Sequence, residues 1–235
     1  MDDNLTDAER ILVQTQGSLP RLLFVLAGPS GVGKNTIIKR LLTNNPRYLD
    51  RVRTYTTRQR RPAEVPDEQY HFVSPDEFRS LALAGRLMEA DADTVGHDVY
   101  GLGHLYSMPA DIFEGLPPEK HLVVAEVDIY GMRLLKEHYP ECVAIFITAP
   151  PLRLIERIRE RPDDHMNAKA LSHRMQTARE QIRAAREFDY IVFNQEDRLA
   201  DTIAAIERIF IVERSRVRPG VDLEATLPPD AFDIA

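Results

Sequence analysis

Cysteine is nearly absent from this chain of 235 residues and tryptophan is wholly absent. No stretch approaches the ~20 consecutive apolar residues that span a bilayer. With Cys142 as the only cysteine, no intramolecular disulfide can form, and its place in an apolar run reads as a buried strand thiol. Positive charge is in deficit as well: 30 Lys and Arg stand against 37 Asp and Glu, for a net charge of −7. That balance argues against duplex nucleic acid as the main partner, because such a partner demands a basic face; only a local basic cluster is left open. The first 20 residues carry acids and no long apolar run, so neither a secretory leader nor a membrane partner is expected. Internal repeats and low-complexity tracts are missing too. The expectation is a soluble, cytoplasmic protein whose length suits one α/β domain with short extensions at residues 1–20 and 214–235.

What is present concentrates in LFVLAGPSGVGKNTIIK, residues 23–39. Leu22, Leu23, Phe24, Val25 and Leu26 read as a buried strand that drives into a glycine-rich turn and on into the amphipathic run Ile37, Ile38, Leu41, Leu42. Gly28, Gly31 and Gly33 let the backbone curl until several amide N–H groups point inward, with Pro29, Ser30 and Val32 completing the turn. The helix starting near Lys34 adds the positive end of its dipole, and the Lys34 ammonium can reach the terminal phosphates of a nucleoside triphosphate. The pattern is G-x-x-x-x-G-K with one departure. Asn35 occupies the usual Ser/Thr position and Thr36 follows it, so Thr36 is the candidate hydroxyl for a Mg²⁺ ion carried in with the triphosphate.

Strand-like runs recur at 22–27, 121–127, 142–148 and 190–193. Helical patterns separate or follow them at 131–139, 152–161, 170–186 and near 199–212. Alternation of this kind builds a mostly parallel sheet flanked by helices. A less regular stretch, about 51–115, interrupts it and is the candidate substrate lobe. The core is then 21–50, 116–150 and 188–213.

That stretch contains Thr54-Tyr55-Thr56-Thr57-Arg58-Gln59-Arg60-Arg61-Pro62-Ala63-Glu64, followed by Tyr70-His71-Phe72-Val73. A turn of chain could bring the guanidinium forks of Arg58 and Arg61 to one phosphate, with the Tyr70 hydroxyl as a third donor. A solvated basic patch is the plainer alternative on these residues alone. A chain with a triphosphate loop and a separate arginine pair nevertheless has the parts for phosphoryl transfer between two nucleotides.

With GPSGVGKNT, TTRQRRPAE, YHFVS, AEVDIYG and REFDYIVFN in this order, the sequence resembles the guanylate kinase family over roughly residues 22–210. The resemblance implies a P-loop core, a GMP-binding insertion, a mobile helical lid at about 151–187, and transfer of phosphate from ATP to GMP with no covalent intermediate. It also implies that Arg58, Arg61 and Tyr70 hold the GMP phosphate while Thr54, Glu89 and Asp128 face the guanine. A carboxylate such as Glu89 suits that edge, because guanine offers it two donors where adenine offers one. Asp128, at the end of Leu122-Val123-Val124-Ala125-Glu126-Val127, sits where parallel sheets place ligands, although a turn aspartate before Gly131 is the structural alternative. Arg161 and Arg174 lie nearest to the family's lid arginines, at a slightly longer spacing, and by the resemblance would neutralise charge on the transferred group. Arg157 and Arg159 read instead as surface partners of Glu156 and Glu160.

The match departs from the family pattern in two loops. Family glycines are missing near Ala63 and in Pro66-Asp67-Glu68, where proline can enforce the bend. The family's second phosphate tyrosine has two candidates, Tyr100 before Gly101 and Tyr106 in His104-Leu105-Tyr106-Ser107-Met108-Pro109, and Tyr106 keeps the family's spacing to Asp128. His97 and His104 have no ligand-type partner at metal-site spacing and read as loop histidines. Two rival functions stay open at this stage: a kinase for another small phosphorylated acceptor, and a catalytically weak interaction module. Retention of Gly28, Gly33 and Lys34 speaks for an enzyme.

Overall fold

The computed structural model describes residues 21–61, 64–65, 67–88, 103–150, 153–156, 168–195 and 197–216, with 168–174 as backbone only. In chain order the elements are β1 (Leu22–Ala27), α1 (Lys34–Asn44), β2 (Leu49–Arg51), β3 (Thr54–Thr56), β4 (Tyr70–Phe72), α2 (Pro75–Leu83) and β5 (Tyr106–Ser107). There follow β6 (Leu122–Glu126), α3 (Ile129–His138), β7 (Val143–Thr148), α4 (Ala168–Arg183), a 3₁₀ turn (Ala184–Glu187), β8 (Tyr190–Phe193) and α5 (Leu199–Arg214).

Five strands form the main sheet in the order β2-β6-β1-β7-β8, and every pairing is parallel. All six residues of β1 are buried, as expected for a central parallel strand covered on both faces. Alternation along β1 sends Leu22, Phe24 and Leu26 to one layer and Leu23 and Val25 to the other. The first layer packs against Ile37, Ile38 and Leu41 of α1 and Ile203, Ile206 and Phe210 of α5, with the Phe24 and Phe210 rings 4.3 Å apart. The second packs against Met132 and Leu135 of α3 and also takes in Val52, Met88, Met108 and Ile112, which root the 51–115 stretch in the core.

That stretch is more regular than its composition suggests. β3 is the centre of a second sheet, parallel to β4 and antiparallel to β5. α2 backs this sheet through a small cluster of Phe78, Ala82 and Leu87 with Tyr55, Val73 and Leu81. Its start is fully specified: Ser74 and Glu77 form a reciprocal capping box, and Pro75 stands in the first turn. Cys142 is buried, as expected, but lies one residue before β7 rather than in it. The 170–186 pattern resolves into α4 and the 3₁₀ turn, and α5 runs to Arg214. Of the expected 152–161 helix, only 153–156 lie among the described residues, and they are helical. No helix among the described residues is long and apolar enough to cross a membrane.

Candidate active site

Parallel pairing brings the carboxyl ends of β1, β6, β7 and β8 to one edge, so the segments that follow them, Gly28–Gly33, Asp128, Ala149 and Asn194, lie along it. The first of these forms the loop that the sequence singled out. Gly28 has φ +154°, and a Cβ there would sit 2.0 Å from the Ile147 carbonyl oxygen. The chain can leave β1 this close to β7 only without a side chain. Val32 is fully buried and anchors the far side of the loop in the core. Lys34 then opens α1 and folds back over the loop, its Nζ donating to the Gly28 carbonyl at 2.8 Å and lying 3.4 Å from that of Pro29.

α1 and α2 solve the same problem in opposite ways. The leading amides of α2 are answered by its own Ser74 side chain, and Asp76 and Glu77 balance its dipole. α1 has no side-chain cap and no acid in its first turn. The positive end of its dipole is therefore not balanced by a side chain of its own first turn, the setting that favours an anion. Asn35 and Thr36 are both exposed on that turn. Among the described residues no cluster of three or more His, Cys, Asp or Glu forms a metal cage. An amide oxygen and a hydroxyl suit a Mg²⁺ ion that arrives on nucleotide phosphates and keeps water ligands.

The second constellation assembles on one face of the small sheet. Register places Tyr70 beside Thr54, and Phe72 and Tyr106 beside Thr56, so these side chains share a face. Tyr55, His71 and Ser107 take the other. The Arg58 guanidinium lies over the rings of Tyr70 and Phe72, 5.4 and 5.5 Å from their centroids, and the Tyr106 ring meets Tyr70 edge-on at 6.1 Å. Arg58 Nη1 also donates to the Gln59 carbonyl at 2.7 Å. Its two terminal nitrogens grip Glu64, whose carboxylate in addition accepts the Arg61 backbone N–H at 2.8 Å. Burial works against the Arg58 charge, but hydrogen bonding to Glu64 and the nearby Tyr106 outweigh it and raise the guanidinium pKa. Burial likewise disfavours the Glu64 carboxylate, yet Arg58 and the Arg61 amide hold its pKa below the ordinary range. The result is an arginine fixed in direction and stacked on aromatic faces.

Polar contacts join this face to the main sheet. Glu126, the last residue of β6, accepts Arg51 Nη2 at 2.7 Å and Gln69 Nε2 at 3.1 Å, and Gln69 immediately precedes Tyr70. Arg53 Nε donates to the Asp67 carbonyl at 2.8 Å, and Lys39 on α1 pairs with Glu68 at 3.1 Å.

The structure therefore brings Thr54, Arg58, Tyr70 and Tyr106 together, with Arg61 on the adjoining turn. Of the two tyrosine candidates it places Tyr106 beside Tyr70; Tyr100 lies outside the described residues, as do Glu89 and Arg161. Arg174 falls within α4, and its side chain is outside the described set. Asp128 caps α3, its Oδ1 accepting the Gly131 N–H at 2.8 Å. Glu156 pairs with Arg153 at 2.9 Å; its expected partners Arg157 and Arg159 lie outside the described residues. Two residues of the site lie within the sequence motifs without a role that the motifs predict: Glu64, and Asn194, whose side-chain amide donates to the Val32 carbonyl at 2.7 Å. The signal for Asn194 was its position, a polar residue immediately after a strand at the ligand edge.

Comparison with known proteins agrees with this geometry. The guanylate kinase family model matches residues 21–213. A guanylate kinase of Symbiobacterium thermophilum is 34% identical over 88% of this chain and 92% of its own length. Another, from Nostoc sp., is 36% identical over 74% of this chain and 82% of its own. A crystal structure of guanylate kinase from Anaplasma phagocytophilum superposes with a TM-score of 0.66 at 23% identity, covering 93% of this chain and 98% of that one. At that identity the likeness is one of fold.

Proposed function

This chain belongs to the guanylate kinase family, and we propose that its two anion-binding elements are the donor and acceptor sites of that family's reaction. The enzyme phosphorylates GMP to GDP at the expense of ATP. In the transfer an oxygen of the GMP phosphate bonds to the γ-phosphorus, the bond from that phosphorus to the β–γ bridging oxygen breaks, and ADP leaves. No covalent intermediate is needed, so the protein's work is positioning and charge neutralisation.

The loop amides of Gly28–Lys34, the first turn of α1 and the Lys34 ammonium would hold the ATP phosphates, with Asn35 and Thr36 beside them. Thr36 is our candidate ligand for a Mg²⁺ ion, which when bound neutralises charge on the phosphate oxygens. Arg58, Arg61, Tyr70 and Tyr106 would hold the GMP phosphate. Thr54, Glu89 and Asp128 would face the guanine, Asp128 having its carboxylate fixed by the α3 cap. Arg161 and Arg174 would arrive with a lid formed by about 151–187. We place the enzyme in the cytoplasm, where ATP and GMP are found.

The observation that carries this reading is the Arg58 guanidinium, stacked on Tyr70 and Phe72 and held by Glu64 on the face that also bears Thr54 and Tyr106. A coupled assay with ATP and each nucleoside monophosphate tests it. GMP should turn over best; AMP, CMP or UMP turning over faster would overturn the acceptor assignment.

A further inference from the structure

We propose that Asn194 is a positioning residue for the phosphate-binding loop, fixing the Val32–Gly33 peptide plane from beneath and so setting the loop's affinity for phosphate. This rests on the reading of that loop as the ATP phosphate seat.

Asn194 follows β8 directly, and its backbone N–H donates to the Thr148 carbonyl of β7 at 2.7 Å, so its Cα belongs to the rigid sheet. The residue is only 7% exposed. Nδ2 donates to the Val32 carbonyl at 2.7 Å, and because a carbonyl can only accept, this contact fixes which end of the amide faces the loop. The Thr202 hydroxyl of α5 lies 3.3 Å from Oδ1 at the other end. Thr202 is itself only 2% exposed, and its hydroxyl also approaches the Arg198 carbonyl at 3.3 Å and the Phe193 carbonyl at 3.4 Å. The amide is thus clamped between a helix of the core and the underside of the loop.

The consequence follows from peptide geometry. All described peptide bonds are trans, and in a planar trans unit the carbonyl of Val32 and the N–H of Gly33 point in opposite directions. Holding the Val32 carbonyl down on Asn194 directs the Gly33 N–H away from the core, to the side from which an anion approaches. Gly33 itself has φ +93°, and a Cβ there would lie 2.8 Å from Asn194 Nδ2. Loop and amide therefore touch at two consecutive residues, and the fit requires glycine at the second. In this proposal Asn194 acts through the loop.

Asn194→Asp tests the proposal, since the shape is kept while an ionised carboxylate can only repel the Val32 carbonyl. With the fold confirmed by circular dichroism, titration should show ATP binding about tenfold weaker than wild type near neutral pH, the cost of one lost buried hydrogen bond. GMP binding should stay within about twofold, because the small sheet is untouched. Inorganic tripolyphosphate should lose as much as ATP. Lowering the pH from about 8 to about 5.5 should restore much of the loss in this variant, because burial raises the aspartate's pKa and the protonated acid can donate again. Thr202→Val, which leaves Asn194 in place but removes its second contact, should weaken ATP and tripolyphosphate binding by about twofold to threefold, and it carries the test should the first variant fail to fold.

Unchanged ATP affinity in a folded Asn194→Asp enzyme overturns the proposal. So does unchanged affinity in Thr202→Val where the first variant does not fold, an equal loss for ATP and GMP, or a loss for ATP that tripolyphosphate does not share. If wild-type enzyme fails to bind tripolyphosphate, it is the reading of the loop that falls.

Discussion

Glu64 holds both terminal nitrogens of Arg58, with Oε1 2.8 Å from Nη2 and Oε2 3.0 Å from Nη1. The pair is mostly buried, the two side chains being 12% and 19% exposed, so it is more than a surface ion pair. It orients the one guanidinium that also stacks on Tyr70 and Phe72. Arg58→Ala should therefore raise the KM for GMP by roughly 10- to 100-fold, the scale of losing charged hydrogen bonds to a phosphate, with the KM for ATP within about twofold of wild type. Steady-state kinetics with each substrate varied in turn reads both numbers.

The same pair makes a pH prediction. The pKa of Glu64 is lower in the folded protein than in the unfolded chain. Its stabilisation is therefore fully present above the unfolded value of about 4.3 and is lost as pH falls through the lower folded value. Wild type should be more stable than Glu64→Gln by on the order of 1 kcal/mol near neutrality, a modest figure for a partly buried pair. That difference should narrow below about pH 4. Denaturant titrations at several pH values would show it; a difference that widened in acid would contradict the ion pair.

How much of this could be read beforehand depends on the range of the interactions. The main sheet was legible because β1, β6 and β7 are continuous apolar runs, and burial on both faces leaves a local compositional signature. The phosphate loop was legible because its glycines, lysine and helix start are adjacent in sequence. β3, β4 and β5 were not, since strands of two or three residues carry too few positions for a period to show. α2 carried a clear signal in Ser74-Pro75-Asp76-Glu77, but it lay inside a stretch read as irregular. Asn194 lies 162 residues from the Val32 carbonyl it supports, and no local pattern announces a contact of that span. Glu64 is close to Arg58 in sequence, yet its role depends on a turn whose geometry the missing family glycines left open.

Gly28 sets a steric limit. A methyl group there would lie 2.0 Å from the Ile147 carbonyl oxygen, and backbone on a central strand cannot move aside as a flexible side chain can. Gly28→Ala should lower stability by about 2 kcal/mol or more and weaken ATP binding beyond what the stability loss explains. Thermal denaturation with and without ATP separates the two effects. A variant with a wild-type melting temperature would show that the loop does not close against β7.

Cys142 offers a chemical probe of the fold. Burial pushes its thiol up to about 11, Lys136 opposing and Asp189 adding to the effect. Near pH 8 only about one molecule in a thousand would carry the reactive thiolate, and the side chain is buried besides. Folded enzyme should resist iodoacetamide under conditions where denatured enzyme is alkylated within minutes. Mass spectrometry after timed quenching would measure this, and rapid labelling of the folded protein would contradict the packing of Cys142 beneath α3.

Lys34 separates structure from chemistry most sharply. Its side-chain contacts with Gly28 and Pro29 stay within the loop, and the core beneath is held by Val32, Ile37 and Ile38 without it. Removing the ammonium should leave the melting temperature nearly unchanged. The charge that the ammonium would neutralise grows on the phosphate oxygens as the phosphoryl group moves, so the deficit should appear in turnover. Lys34→Ala should lower kcat by roughly 10²- to 10³-fold, in line with removing one charged donor from a transition state, with a smaller effect on the KM for GMP. Lys34→Arg should recover little of this, because a planar fork does not replace a compact ammonium folded over the loop. If the alanine variant instead kept its kcat and lost only ATP affinity, the lysine would be binding ground state and transition state equally, and transition-state stabilisation would have to come from other residues.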